Sequence, residues 1–361
     1  MSTQNTCFMK NGSIYKVTTK EDLDLHDLLP AGNYVVCMDA FEQFQLKKVD
    51  DFVHNTKLYG NTTRHADRIL NTFIDRPSST GVMLTGEKGS GKTLLSREVS
   101  IKAAALGYPT IIINAPWRGD KFNTFMQNID QPCIVLFDEF EKVYAREDQE
   151  QILTLLDGVF SSKKLFMLTC NDKWRVDCNM RNRPGRIFYM IDFKGLDEAF
   201  IREYCEDNLN NKTQIDNVCT MALMFDQFNF DMLKAVVEDM NRYNESPSEV
   251  MQLLNTKPEF SQNQAFNIKL YDNGTLISPS LYEDKFWHVN QLEANQVRFE
   301  YQDINDLDED GDATWVRLLF TSAQLSKIDP ARGVFVYEND DHQKVELSRA
   351  AQYKHDYSKF F

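Results

Sequence analysis

One run of eight residues constrains this chain more than any other feature: Gly86, Glu87, Lys88, Gly89, Ser90, Gly91, Lys92 and Thr93. It fits the pattern G-x-x-x-x-G-K-S/T, in which each residue type has a physical task. Glycines reach backbone angles that aim successive N–H groups at one point. A helix starting at the lysine adds the partial positive charge of its N-terminus. Lys92 is then placed to neutralise β and γ phosphates, and Thr93 to offer a hydroxyl to Mg²⁺. The ligand this predicts is a nucleoside triphosphate with Mg²⁺. The competing reading is a plain Gly-rich turn, but an apolar run before the glycines and a helical pattern after them are what a phosphate cradle requires.

That context extends well beyond the motif. From residue 81 to about 194, short apolar runs alternate with helical patterns. The runs are Val82–Leu84, Thr110–Ile113, Cys133–Phe137, Leu165–Leu168 and Ile187–Ile191. Between them, Lys92–Leu106 ends at Gly107, and further helices are expected over about 121–129 and 147–160. Such alternation predicts an α/β fold with a buried parallel sheet wound by crossovers, here a P-loop NTPase sheet. Upstream, Ala66, Ile69, Leu70 and Phe73 share one helical face, with Asn61 or Thr62 as cap and Pro77 as stop.

The flanks read differently. Residues 1–55 suggest a small N-terminal α/β domain, with a strand at Tyr34–Met38 after the turn at Pro30–Gly32. The P-loop core is then 56–195. Residues 196–256 read as helices only, and 257–361 as a β-rich C-terminal domain, with strands at Phe266–Leu270, Val297–Tyr301, Trp315–Phe320 and Val334–Tyr337. The last few residues are expected to be poorly ordered.

A second chemical signal lies where the Cys133–Phe137 run ends. Asp138 and Glu139 place two carboxylates just past a buried strand, where open α/β sheets gather their ligands. Asp138 is placed to hold Mg²⁺, and Glu139 to polarise an attacking water as general base. A solvated charge pair before a helix is the bland alternative.

Composition removes other classes. A formal charge of −14 weighs against sequence-blind nucleic-acid binding, which needs clustered Lys and Arg. No stretch approaches the roughly 20 apolar residues of a membrane helix. Seven scattered cysteines, without a metal-type CxxC pair, read as reduced thiols in a cytoplasmic protein. Asp306–Gly311 opens like a calcium loop, but its twelfth position is Arg317 rather than a bidentate Glu. The six histidines show no zinc spacing.

From about Leu58 to Asn241 the sequence resembles the AAA ATPases in the narrow sense, the clade of protein unfoldases and remodelers. Gln131–Phe140 resembles the family's Pro-led Walker B strand, and Leu155-Leu-Asp-Gly158 its helix ending in LDG. Leu168-Thr-Cys-Asn171 resembles its sensor strand and Arg183-Pro-Gly-Arg186 the end of its second region of homology. The resemblance implies that Asn171 faces the γ-phosphate. It also implies that Arg183 and Arg186 act as arginine fingers on the nucleotide of an adjacent subunit, unless one of them pairs with a carboxylate of its own chain. Arg181 lies close enough for the assignment to slip by one. Asn114 stands where relatives keep a polar switch residue, and Tyr59-Gly60 where they pass near adenine. Trp117-Arg118-Gly119 stands where they have a pore loop that grips a polypeptide, although Arg118 departs from the usual apolar residue, and Trp117 also suits a subunit contact or a core. The 196–256 helices would be the lid over the nucleotide. Phe230-Asp231 there lacks the arginine of sensor-2 families, as the narrow clade does. A narrower resemblance is to AAA proteins encoded by tailed bacteriophages, carried by Lys57–Gly60 and Asp138–Lys142, which would put the chain in a host cytoplasm.

The resemblance therefore implies a homo-oligomer, hexameric by family analogy, that couples ATP hydrolysis to remodelling a protein partner. Two rivals remain at this stage: a nucleic-acid motor or loader, with Arg118 and Lys121 lining its pore, and a nucleotide-gated scaffold with little turnover.

Overall fold

A computed structural model describes residues 6–11, 13–20, 23–54, 57–157, 160, 162–181, 183–193, 195–225, 228–255, 266–278, 297–329 and 332–349. The expectation about the last residues therefore lies outside the described part, as do Gly158 and the proposed boundary at 256–257. The chain divides into two compact units, 1–87 with 91–193, and 88–90 with 194–361.

The first unit begins with a hairpin, β1 (Thr6–Asn11) and β2 (Ile14–Thr19). Its centre is a seven-stranded sheet. The strands are β3 (Gly32–Met38), β4 (Phe44–Val49), β5 (Thr80–Gly86), β6 (Pro109–Ile113), β7 (Cys133–Phe137), β8 (Lys164–Cys170) and β9 (Tyr189–Phe193). They lie in the order β4-β3-β6-β7-β8-β5-β9. All neighbours are parallel except β3 and β4. Helices α1 (Thr62–Asp75), α2 (Lys92–Ala105), α3 (Asp120–Gln127), α4 (Phe140–Val143), α5 (Arg146–Leu156) and α6 (Cys178–Arg181) connect them.

Strand alternation explains the two layers of core. Side chains on successive strand residues point to opposite faces. Val82, Leu84, Ile134 and Leu136 pack with Ile69, Phe73, Leu95 and Val99 of α1 and α2. Met83, Cys133, Val135 and Phe137 pack on the other face with Phe122, Met126, Ile152 and Leu155 of α3 and α5. Both faces are covered, which is why β5, β7 and β8 read as continuous apolar runs.

Three expectations change. Residues 32–49, assigned to a separate N-terminal domain, are strands of the central sheet: β3 pairs in parallel with β6, from Gly32 opposite Pro109 to Val35 opposite Ile112. The strand expected at Ile187–Ile191 starts two residues later, because residues 183–187 form a turn in which the Ile187 N–H donates to the Arg183 carbonyl. The helix expected to reach Phe160 stops at Leu156, with Asp157 as its C-cap.

The second unit holds α7 (Glu198–Asn208), α8 (Ile215–Ala222), α9 (Phe230–Tyr243) and α10 (Pro247–Leu253). They share a core of Ile201, Cys205, Val218, Leu233, Val236 and Met240. Side-chain caps start three of these helices: Asp197 accepts from the Phe200 N–H, Asn229 accepts from the Met232 N–H, and Ser246 forms a capping box with Glu249. The β-rich part carries β10 (Phe266–Asp272), β11 (Thr275–Leu276), β12 (Val297–Leu307), β13 (Ala313–Phe320), β14 (Leu325–Asp329), β15 (Val334–Glu338) and β16 (Gln343–Arg349). Five of them form an antiparallel sheet, β11-β10-β16-β15-β14, and β12 pairs with β13 as a long hairpin. Asp308 lies in the hairpin's turn, its carboxylate accepting from the N–H groups of Asp310 and Asp312. Among the described residues, no helix is long and apolar enough to cross a membrane, and no group of three or more His, Cys, Asp or Glu could hold a metal.

Candidate nucleotide site

Sheet order brings the candidate residues together. β8 lies between β7 and β5, so the carboxyl ends of these strands stand side by side. In register, Phe137 faces Leu168 and Thr85 faces Cys170. Asp138 and Glu139 after β7, Asn171 after β8 and the glycine loop after β5 thus share one sheet edge. Asn114 follows β6, whose last residue, Ile113, faces Phe137, and it is exposed.

The loop leaves β5 at Gly86, whose φ of 141° belongs to glycine. A Cβ there would lie 2.2 Å from the Phe193 carbonyl oxygen, so no other residue fits without moving β9. Gly91, at φ 102°, stands at the N-cap of α2. Lys92 is 7% exposed, and its Nζ donates to the carbonyls of Gly86 at 2.6 Å and Glu87 at 2.7 Å. Burial pulls the Lys92 pKa down, and the carboxylates of Glu141, Asp138 and Glu139 push it back up. Thr93, second in α2, is exposed. The loop's tip, 88–90, groups with the second unit. Ser90 Oγ is buried without a hydrogen-bond partner. Positive-φ glycines, an orphaned hydroxyl and a helix N-terminus bearing Lys92 suit a bound triphosphate.

Thr169 organises the acidic edge. Its hydroxyl donates to Asp138 Oδ1 at 2.6 Å and accepts from the Glu139 N–H at 2.9 Å. Glu139 takes a left-handed conformation, φ 49°, which a non-glycine residue adopts at some cost. Its carboxylate pairs with Lys142. The Asn171 N–H donates to Glu141 Oε1 at 2.9 Å, while its carboxamide has no partner among the described residues. Burial drives the Cys170 thiol up to about 12, so it stays neutral beside these groups. The donors fit Mg²⁺: a Thr93 hydroxyl and an Asp138 carboxylate are hard oxygen ligands.

The two candidate finger arginines separate. Arg186 is engaged by its own chain: Nε donates to Asp157 Oδ1 at 2.6 Å, Nη2 to Asp157 Oδ2 and Nη1 to the Asn179 carbonyl at 3.0 Å. This fork raises the Arg186 pKa and lowers that of Asp157. Arg183 is exposed and forms no ion pair with a described residue. Its neighbour in the assignment, Arg181, donates to the Val176 carbonyl and stacks on Trp174. Of the two readings left open for Arg186, its contacts match pairing with a carboxylate of its own chain.

Trp117 also belongs to its own unit. Its indole N–H donates to the Val36 carbonyl at 3.3 Å, and its ring meets Phe44 edge-on at 5.4 Å. Arg118 pairs with Asp148. Tyr59 is 7% exposed beneath Lys57, and Gly60 turns the chain at φ 63° just before α1.

A seven-stranded, mostly parallel sheet with a glycine loop and an acidic neighbouring strand end defines a P-loop NTPase. Residues 82–194 match the family model "ATPase family associated with various cellular activities (AAA)". Over that span the chain is similar to AAA domains. It is 25% identical over 199 residues to the peroxisomal ATPase PEX1 of Cricetulus griseus, covering 47% of this chain and 16% of that protein. It is 24% identical over 164 residues to a putative cell division cycle ATPase of Plasmodium falciparum, 40% of this chain and 13% of that one. Against the ATP-dependent zinc metalloprotease YME1 homolog of Schistosoma mansoni it is 24% identical over 187 residues, 42% of this chain and 28% of that one. The matches span less than a third of these relatives' lengths.

Proposed function

We propose that this chain is an ATPase that assembles into a ring, hexameric by family analogy, and couples hydrolysis to remodelling a protein partner. The observation that carries the reading is the sheet edge itself: Lys92, Asp138, Glu139 and Asn171 converge there, with Thr169 fixing both acids. Gly86–Gly91 and Lys92 hold the triphosphate. Mg²⁺, when bound through Thr93 and Asp138, neutralises charge on the β and γ phosphate oxygens. Glu139 takes the proton of the attacking water, after giving up its pair with Lys142. Asn171 hydrogen-bonds the γ-phosphate or that water. Arg183 serves the neighbour's nucleotide, because its guanidinium is exposed and unpaired among the described residues whereas that of Arg186 is held. Tyr59-Gly60 lies near adenine, and the helices over 196–256 correspond to the family's lid segment. Trp117, held against β3 and β4, is left out of substrate contact. Scattered free thiols suit the cytoplasm, that of a host if the chain is phage-encoded.

The test separates binding from chemistry. Wild type should release phosphate from ATP with Mg²⁺. Lys92→Ala should lose nucleotide binding in a fluorescent-analogue titration, and Glu139→Gln should bind ATP and retain it unhydrolysed. Wild-type affinity in Lys92→Ala, or normal turnover in Glu139→Gln, overturns the assignment.

A further inference from the structure

Glu141 lies outside the roles assigned so far. It sits in the four-residue helix α4, which begins straight after the left-handed Glu139. That turn carries Glu141 to the end of β8, where its Oε1 accepts from the Asn171 N–H at 2.9 Å. Its other oxygen, Oε2, is buried and has no hydrogen-bond partner among the described residues. A buried carboxylate oxygen without a donor is costly, so its retention asks for a reason. Geometry supplies one. Asn171 follows the last residue of β8, and its own side chain has no protein partner among the described residues. Its carboxamide is aimed only by the main chain that bears it. Glu141 holds that main chain from the neighbouring strand end, while Thr169, two residues earlier on β8, holds Asp138 and Glu139. The two cross-links run in opposite directions between the same pair of strand ends, and together they lock the acids and the sensor amide to each other. The Glu141 carboxylate, like those of Asp138 and Glu139, also raises the pKa of Lys92.

We propose that Glu141 is a positioning residue for phosphoryl transfer: it fixes the Asn171 main chain and thereby aims the Asn171 carboxamide at the reacting phosphate. This rests on the ATPase reading above. Misplacing a reacting or stabilising group by about 1 Å costs up to ~10²-fold in rate. Glu141→Ala should therefore lower kcat by about tenfold to 10²-fold while nucleotide affinity stays within about twofold. Glu141→Gln keeps a carbonyl oxygen for the Asn171 N–H and should recover most of the rate. Asn171→Ala, costly alone, should add little in the Glu141→Ala background, because one residue acts through the other. Hydrogen exchange gives a readout independent of turnover: the Asn171 amide should be protected in wild type and Glu141→Gln, and exposed in Glu141→Ala. Wild-type kcat in Glu141→Ala, multiplicative losses in the double variant, or a Glu141→Gln rate as low as that of Glu141→Ala each overturn the proposal. A wild type that releases no phosphate overturns the ATPase reading instead, and the exchange experiment then still decides whether Glu141 holds Asn171.

Discussion

Thr169 is the residue on which the acidic edge turns. It is 1% exposed, and its one hydroxyl serves Asp138 and the Glu139 main chain at once. Thr169→Val keeps the shape and removes both bonds, leaving buried groups unpaired at a cost of about 1–3 kcal/mol. The expected outcome is near-normal nucleotide affinity with kcat down about 10²-fold, and recovery in Thr169→Ser, read by phosphate release and nucleotide titration. Lys92, Thr93, Asp138 and Glu139 were legible as candidates because each belongs to a spaced pattern with a chemical reason, and Asn171 through the family resemblance alone. Thr169 was not. A threonine in an apolar strand is an ordinary β-former, and only the register with β7 reveals what its hydroxyl meets. Glu141 escaped for the same reason, since its partner, the Asn171 N–H, is a main-chain group that no side-chain motif advertises.

Among elements, the end of α5 and the turn at 183–186 form one device. Asp157 caps α5 and clasps Arg186, while the backbone of that turn lies so close to β5 that a Cβ on Gly81 would sit 1.9 Å from the Arg186 carbonyl oxygen. Arg186→Ala should therefore destabilise the unit by about 1 kcal/mol, the discounted worth of a pair whose carboxylate is half exposed, or about 2–4 °C in Tm. Arg183→Ala should leave Tm unchanged and lower hydrolysis alone; scanning calorimetry beside phosphate release distinguishes them. The sequence presented Leu155–Gly158 and Arg183–Arg186 as separate motifs, because an ion pair across 29 residues leaves no periodic trace. It also missed the membership of β3 and β4. A short run such as Tyr34-Val-Val looks the same in a free hairpin as at the flank of a parallel sheet, and pairing partners are set by tertiary packing. Strands β5 to β8 were legible because burial on both faces makes them continuously apolar.

At the scale of the proposed ring, the exposed Arg183 makes a prediction about mixtures. Arg183→Ala should fold, bind ATP and hydrolyse poorly, and activity should return when it is mixed with Glu139→Gln subunits, each lacking what the other supplies. Absence of rescue in rings shown by native mass spectrometry to be mixed counts against a shared site. At this scale the sequence conveyed the ATPase core and little else, since the flanking regions carry no pattern that converts to chemistry.

The two ends of α5 have a mechanical consequence. Near its start Asp148 grips Arg118, and at its close Asp157 grips Arg186. Eleven residues make a rod about 16 Å long. The loop at 117–119 and the turn bearing Arg183 are thus tied to opposite ends of one stiff strut, so a displacement of the first is expected to reach the second.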